Sequence, residues 1–152
     1  MKSFLASAVL CWALLAGLLS APSAASPQES AGKSAQLDFQ FFKTKVQPIF
    51  LAKRSGHARC VACHGSPTAP EVFRLQPLSP GNSTWNDEDS RKNFAATSKL
   101  VIPGDVKSPL LVHPLAEGAG GDFFHNGGKH FNSQKDPEWQ VLKDWVLGQK
   151  GS

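Results

Sequence analysis

Between Leu37 and about Lys53, Phe39, Phe42, Val46, Ile49 and Phe50 recur at helical spacing, which predicts a first helix with one apolar face. Pro48 removes a backbone donor, so the helix is expected to kink or split near Val46-Gln47. Arg54-Ser55-Gly56 ends it, with Gly56 free to take the left-handed conformation of a C-terminus. Ala69 to Pro80 carries three prolines and no helical stripe, so it reads as extended, with one short β-bridge around Phe73-Leu75. Asn86 or Asp87 caps a second helix through about Ser98, and Asp87, Glu88 and Asp89 suit its positive end. Val101 to Asp105 is an extended approach and a turn. Ser108 reads as an N-cap with Pro109 in the first helical position, and Pro114 stops that helix after about one turn. Ala116 to Asn132 holds five glycines and is the loosest stretch. Asp136-Pro137-Glu138 opens the last helix, with Trp139, Leu142, Trp145 and Val146 as its buried stripe and Gly148 as its end. The pattern is all-α, a set of short helices joined by long loops. Such a core is thin for its loop content unless something apolar occupies its centre.

The first residues follow a different pattern. Lys2 precedes an almost unbroken apolar run from Phe4 to Leu19, and Ser23-Ala24-Ala25 closes it with small residues. This reads as a secretory signal peptide over 1–25, cleaved after Ala25, rather than as an uncleaved anchor. Cys11 lies inside the run and lacks the small residues that a lipoprotein site requires before it. Residues 26–36 are rich in Ser, Ala, Pro and Gln and read as a flexible linker. Residues 37–150 form one domain, with no internal repeat and no transmembrane segment after cleavage.

Cleavage leaves two cysteines, and both sit in Cys60-Val61-Ala62-Cys63-His64. An exported chain with no other thiol has no disulfide framework. A zinc site needs four ligands, and the only others available are distant histidines. A dithiol redox pair needs a βαβ context that the pattern does not contain. C-x-x-C-H is the attachment pattern of haem c: two thiols bind the two vinyl groups and the following histidine ligates the iron. One covalent haem on Cys60, Cys63 and His64 is therefore the expected cofactor. The mature chain carries 15 basic and 12 acidic residues, a net charge of +3 before the haem propionates are counted. Its basic residues are scattered, so nucleic-acid binding has no footprint. Lys92, Lys99, Lys107, Lys129 and Lys135 read as solvated lysines, with docking of acidic redox partners as the sharper alternative.

Electron-transfer haems take Met or His opposite the proximal histidine. The single methionine is Met1, which leaves with the signal peptide. His57, seven residues before His64, is expected on the proximal side or at the surface, and His113 as a half-buried or surface histidine. His125 and His130 lie in the glycine-rich loop, where backbone can approach a flat cofactor closely. Phe123, Phe124 and Phe131 are available to pack on it, as Val72, Phe73, Leu75 and Leu78 are to cover its edge; ordinary core packing is the alternative for each. His130 is preferred over His125 as the second ligand, with Lys129, water or an open position also in the field. Trp85, Trp139 and Trp145 read as core, with electron relay as the less ordinary role.

Val46-Gln47-Pro48-Ile49-Phe50, Cys60-Val61-Ala62-Cys63-His64-Gly65, Val101-Ile102-Pro103-Gly104-Asp105 with Ser108-Pro109-Leu110-Leu111, and the closing Trp139 to Gly148 together resemble a planctomycete-type cytochrome c domain. The resemblance runs from about Val46 to Gly148. It implies a cytochrome-c-like fold around one covalently attached haem, and electron transfer by an exported, periplasmic monohaem protein. In that family a Met-Pro-Pro segment before the closing helix supplies the distal ligand. Here the corresponding place holds Gly128-Lys129-His130-Phe131, which makes His130 the natural replacement and the haem bis-His ligated.

Three functions compete on the sequence. The first is an electron carrier or relay subunit with redox partner proteins. The second is a haem enzyme or gas-binding sensor with an open distal position, in which His125, His130 or Lys129 serves as an acid, base or hydrogen-bonding group. The third is an interaction module whose cysteines bind zinc.

Overall fold

The computed structural model describes residues 36–150. The expected signal peptide, Cys11 and all of the expected linker except Gln36 lie outside the described residues. Within them the chain is all-α, with no strand and two isolated β-bridges.

Helix α1 covers 39–51 in three consecutive stretches: α-helical Phe39–Phe41, a π-helical Phe42–Val46 and α-helical Gln47–Leu51. Asp38 caps its start by accepting from the Phe41 amide. The Gln47 amide reaches back five residues to the Phe42 carbonyl, just ahead of Pro48. A π turn absorbs one extra residue without breaking the helix. The break expected near Val46-Gln47 is thus a change of register. It keeps Phe42, Val46, Ile49 and Phe50 on one buried face.

Helix α2 is Cys60–His64, α3 is Asp87–Ser98, α4 is Pro109–Val112 and α5 is Pro137–Val146. Asn86 caps α3 through the Asp89 amide, and Asp136 caps α5 through the amides of Glu138 and Trp139. Ser108 precedes α4 but does not cap it with its side chain. Its hydroxyl is buried, accepts from the Ile102 amide and faces the carbonyls of Ile102 and Asp105, so it ties down the turn before the helix. The first helix ends at Leu51, before Gly56. Gly56, at φ +75°, serves the tight turn in which Arg54 and His57 form a bridge. The bridge expected around Phe73-Leu75 is absent among the described residues. A 3₁₀ turn, Glu71–Phe73, stands there, and the Leu75 amide donates to the His64 carbonyl.

The core lies where α1, α3 and α5 meet. Phe42 contacts Trp145, Phe94 and Phe50 at ring-centre distances of 5.2, 5.4 and 6.2 Å. Such tilted and edge-on aromatic contacts add to the burial of apolar area, which is the main source of stabilisation. Gln47 crosses from α1 to donate to Ser90 of α3 in the interior. Trp85, Trp139 and Trp145 are all buried, and each indole N–H donates to a backbone carbonyl, of Gln76, Leu111 and Asp38 respectively. These bonds tie distant segments together and account for the tryptophans as core residues.

Candidate functional site

Arg59 enters α2 in an extended conformation, so the helix begins at Cys60 itself. One helical turn then puts Cys60, Cys63 and His64 on the wall of a single cavity of about 540 Å³. This volume lies within the range of cofactor sites, roughly 300–1,000 Å³. Ile49 and Phe50 of α1, Leu110 of α4 and Leu142 of α5 supply apolar wall. Val72 and Phe73 also line the cavity, whereas Leu75 is buried in the core and Leu78 packs against it. The last side of the cavity comes from the glycine-rich loop, through His125, Gly127, His130 and Phe131.

His64 is fixed by its neighbours. Its Nδ1–H donates to the Phe73 carbonyl at 3.1 Å, and the Phe73 ring lies 4.5 Å from the imidazole. A carbonyl only accepts, so the proton is on Nδ1 and the Nε2 lone pair is free. Burial lowers the His64 pKa, an effect that the bond to Phe73 opposes and nearby His125 reinforces. The ring is therefore held neutral, the form a metal ligand requires. Cys60 is a free thiol whose pKa is raised by burial, against the pull of the Arg54 guanidinium; Cys63 is free and exposed.

The loop that brings the other histidines is pinned at its base. The Phe131 amide donates to the Pro114 carbonyl and the Ala116 amide to the Phe131 carbonyl. The Asp122 amide reaches the Val112 carbonyl, and Lys129 Nζ reaches the His113 carbonyl. The imidazoles of His64, His125 and His130 consequently gather at the cavity, and His57 packs against His130 outside its lining. The His64 and His125 rings are nearly parallel, with centres 6.3 Å apart. His125 and His130 lie 5.8 Å apart at a steep angle, and His57 lies 5.2 Å from His130. His130 is buried, and its Nδ1 has no hydrogen-bond partner. Burial, reinforced by the charge of Arg54 and by the other histidines, lowers its pKa to about 4, so it too is neutral at neutral pH.

The remaining expected residues fall elsewhere. His57 is drawn onto the loop side by its contact with His130, a position that sequence distance from His64 does not reveal. His113 is exposed at the cavity rim, and its Nδ1 pairs with Asp122. Phe131 is core, while Phe123 and Phe124 are exposed. Arg54 escaped the sequence reading. It pairs with Glu138 of α5, lies over the Phe131 ring at 5.1 Å, and bears on both Cys60 and His130. The chain offers no local signal for this, because Arg54 and Glu138 are 84 positions apart.

Among the described residues, no three His, Cys, Asp or Glu side chains converge as a metal-ion group. A structural zinc site needs four such ligands within bonding reach, so this arrangement does not offer one. What it offers is two thiols and a neutral imidazole on one short helix, facing a largely apolar cavity with further imidazoles beyond. No helix among the described residues is long and apolar enough to cross a membrane. No family model, curated protein or solved structure matches this chain.

Proposed function

We propose that the protein is an exported monohaem c-type cytochrome that transfers electrons, built on a cytochrome-c-like fold of the planctomycete type. The observation that carries this reading is the shared opening of Cys60, Cys63 and His64 on one cavity of about 540 Å³. A C-x-x-C-H motif buried in a core, or spread over an exposed loop, would not serve. The residues fit a haem by their chemistry: two unpaired thiols, an imidazole with Nε2 free, and apolar walls. Each thiol would add its sulfur and its hydrogen across one vinyl double bond, giving a thioether without any oxidant. The bound iron would supply a one-electron ferric–ferrous couple. The Phe73 carbonyl would hold the His64 ring in place and raise its basicity as a ligand. Phe50, Leu110 and Leu142 would keep water from the site and so help to set its potential. Placement in the periplasm follows from the apolar leader and from the compartment in which C-x-x-C-H cysteines receive haem.

Pyridine haemochrome spectra and haem staining after denaturing electrophoresis test this reading on the full chain, expressed with a haem c maturation system. Wild type should retain one haem per chain through denaturation. Cys60→Ser and Cys63→Ser should each shift the haemochrome band by leaving one vinyl group unreacted, and the double variant should lose the stain. A wild-type protein that releases its haem on denaturation, or binds none, overturns the proposal.

A further inference from the structure

We infer that the second axial ligand of the site is His125, not His130, and that His130 is a neighbour which packs the loop behind it. The inference rests on the haem c reading above and concerns the opposite face of the same iron.

Three observations carry it. The first is spacing. Two imidazoles bonded to one metal from opposite sides, each by a bond of about 2 Å and with each nitrogen about 1.2 Å from its ring centre, have ring centres about 6.4 Å apart. The His64 and His125 rings, stacked with planes 14° apart, are separated by a comparable 6.3 Å, so they are the pair that borders a gap of this size. The ring contacts of His130 are with His57 and His125, at 5.2 and 5.8 Å.

The second observation is the second coordination shell. Ligating histidines donate their other ring N–H to a carboxylate or a carbonyl, which fixes ring and tautomer. His64 has this partner in the Phe73 carbonyl. His125 has it in the Gly128 carbonyl, at 2.7 Å from Nδ1. Both rings are therefore protonated on Nδ1 and present Nε2 as the free donor. His130 lacks the arrangement, because its Nδ1 is buried without a partner.

The third is the loop that holds His125. The Gly128 amide donates back to the His125 carbonyl at 2.9 Å, closing a four-residue turn whose ends are joined by two hydrogen bonds, one through the side chain. Gly128 sits at φ +81°, and a Cβ there would come within 2.9 Å of the His57 ring. The turn therefore needs glycine, and His57 and His130 fill the space behind it. Gly128, in a loop that looked merely loose, instead closes the turn that mounts one imidazole.

The test is low-temperature EPR and near-infrared magnetic circular dichroism of the ferric holoprotein, with pyridine haemochrome run on every sample. Wild type should be six-coordinate, low-spin and bis-His. His125→Ala should lose the low-spin signal and regain it with added imidazole. His130→Ala should keep the wild-type signal. His125→Met, which retains a donor should truncation prevent folding, should change the signature to His/Met and raise the potential. The inference is overturned by a bis-His signal that survives in His125→Ala or His125→Met, or by a wild type that is high-spin. Haemochrome separates these results from failure of the underlying reading, because it reports the thioether bonds whatever the axial ligand.

Discussion

Gly121 is placed where a Cβ would overlap the Leu115 carbonyl oxygen and lie 2.9 Å from that of Val112. Both atoms are backbone and have no rotamer with which to yield. The contact occurs because the loop folds back on the end of α4, with the amides of Gly121 and Asp122 donating to the carbonyls of Ala116 and Val112. Gly121→Ala must push these segments apart. Overpacking of this kind costs about 3 kcal/mol. Gly118, in the same loop, has nothing within 4 Å of an added Cβ and no positive φ, so Gly118→Ala should stay within about 0.5 kcal/mol of wild type. Urea unfolding of the two variants checks the contrast, and equal midpoints would refute it. From the sequence, five glycines announce an irregular loop and nothing more. Which of them is compelled depends on Leu115 and Val112, whose carbonyls no local pattern aims at the loop. The same limit applies to the proposed distal imidazole: His125 and His130 are equivalent as letters, and the fold separates them by giving His125 Nδ1 the Gly128 carbonyl while leaving His130 Nδ1 without a partner.

At the scale of elements, helix boundaries were legible wherever a side chain and the backbone beside it act within three residues. Asn86 and Asp136 bond the amides that their positions predict. The Asp136 cap also aligns α5, whose Trp139 and Trp145 bond carbonyls of α4 and of the residue before α1. Asp136→Ala should therefore lower stability by about 1 kcal/mol through the lost cap. Glycine at the same position should cost only a few tenths. Thermal unfolding of both variants measures the difference, and an alanine variant as stable as wild type would mean that the cap carries no stability. The readings that missed are those in which distance along the chain intervenes. Ser108 has the composition of an N-cap, but its buried hydroxyl is taken by the Ile102 amide and faces the Ile102 and Asp105 carbonyls, so it closes the preceding turn instead. Pro48 signals a lost donor, yet whether a helix breaks or changes register depends on what holds both halves. Here Phe42 and Phe50 are clamped by the same core, so the extra residue is absorbed as a π turn.

Across the whole molecule, the aromatic core and the cavity share walls. Phe50 contacts Phe42 on the core side and lines the cavity, while Leu142 of α5 does the same beside Trp139 and Trp145. On the haem c reading proposed above, this coupling sets what the protein should do without its cofactor. Some of the cavity's lining residues, Cys63, Val72 and His113 among them, are exposed, so without haem the apolar walls of Phe50, Leu110 and Leu142 would lie against water. Apolar area left in water costs about 25 cal/mol per Å², so those walls are expected to move inward. The segments free to move are α2, which is a single turn, and the loop of 116–132, which has no long helix of its own. The helices α1, α3 and α5 retain their mutual contacts through Phe42, Phe94 and Trp145. The variant Cys60→Ala/Cys63→Ala, purified free of haem, should thus keep much of its far-ultraviolet helical signal. It should bind a hydrophobic dye, and it should unfold at lower urea concentration over a broader transition than the holoprotein, as expected of a state that has lost specific packing but kept its helices. Circular dichroism, dye fluorescence and urea titration on the same samples decide it. An unfolding midpoint and steepness equal to those of the holoprotein would mean that the cavity is carried by the protein alone, and that the cofactor does not complete the fold.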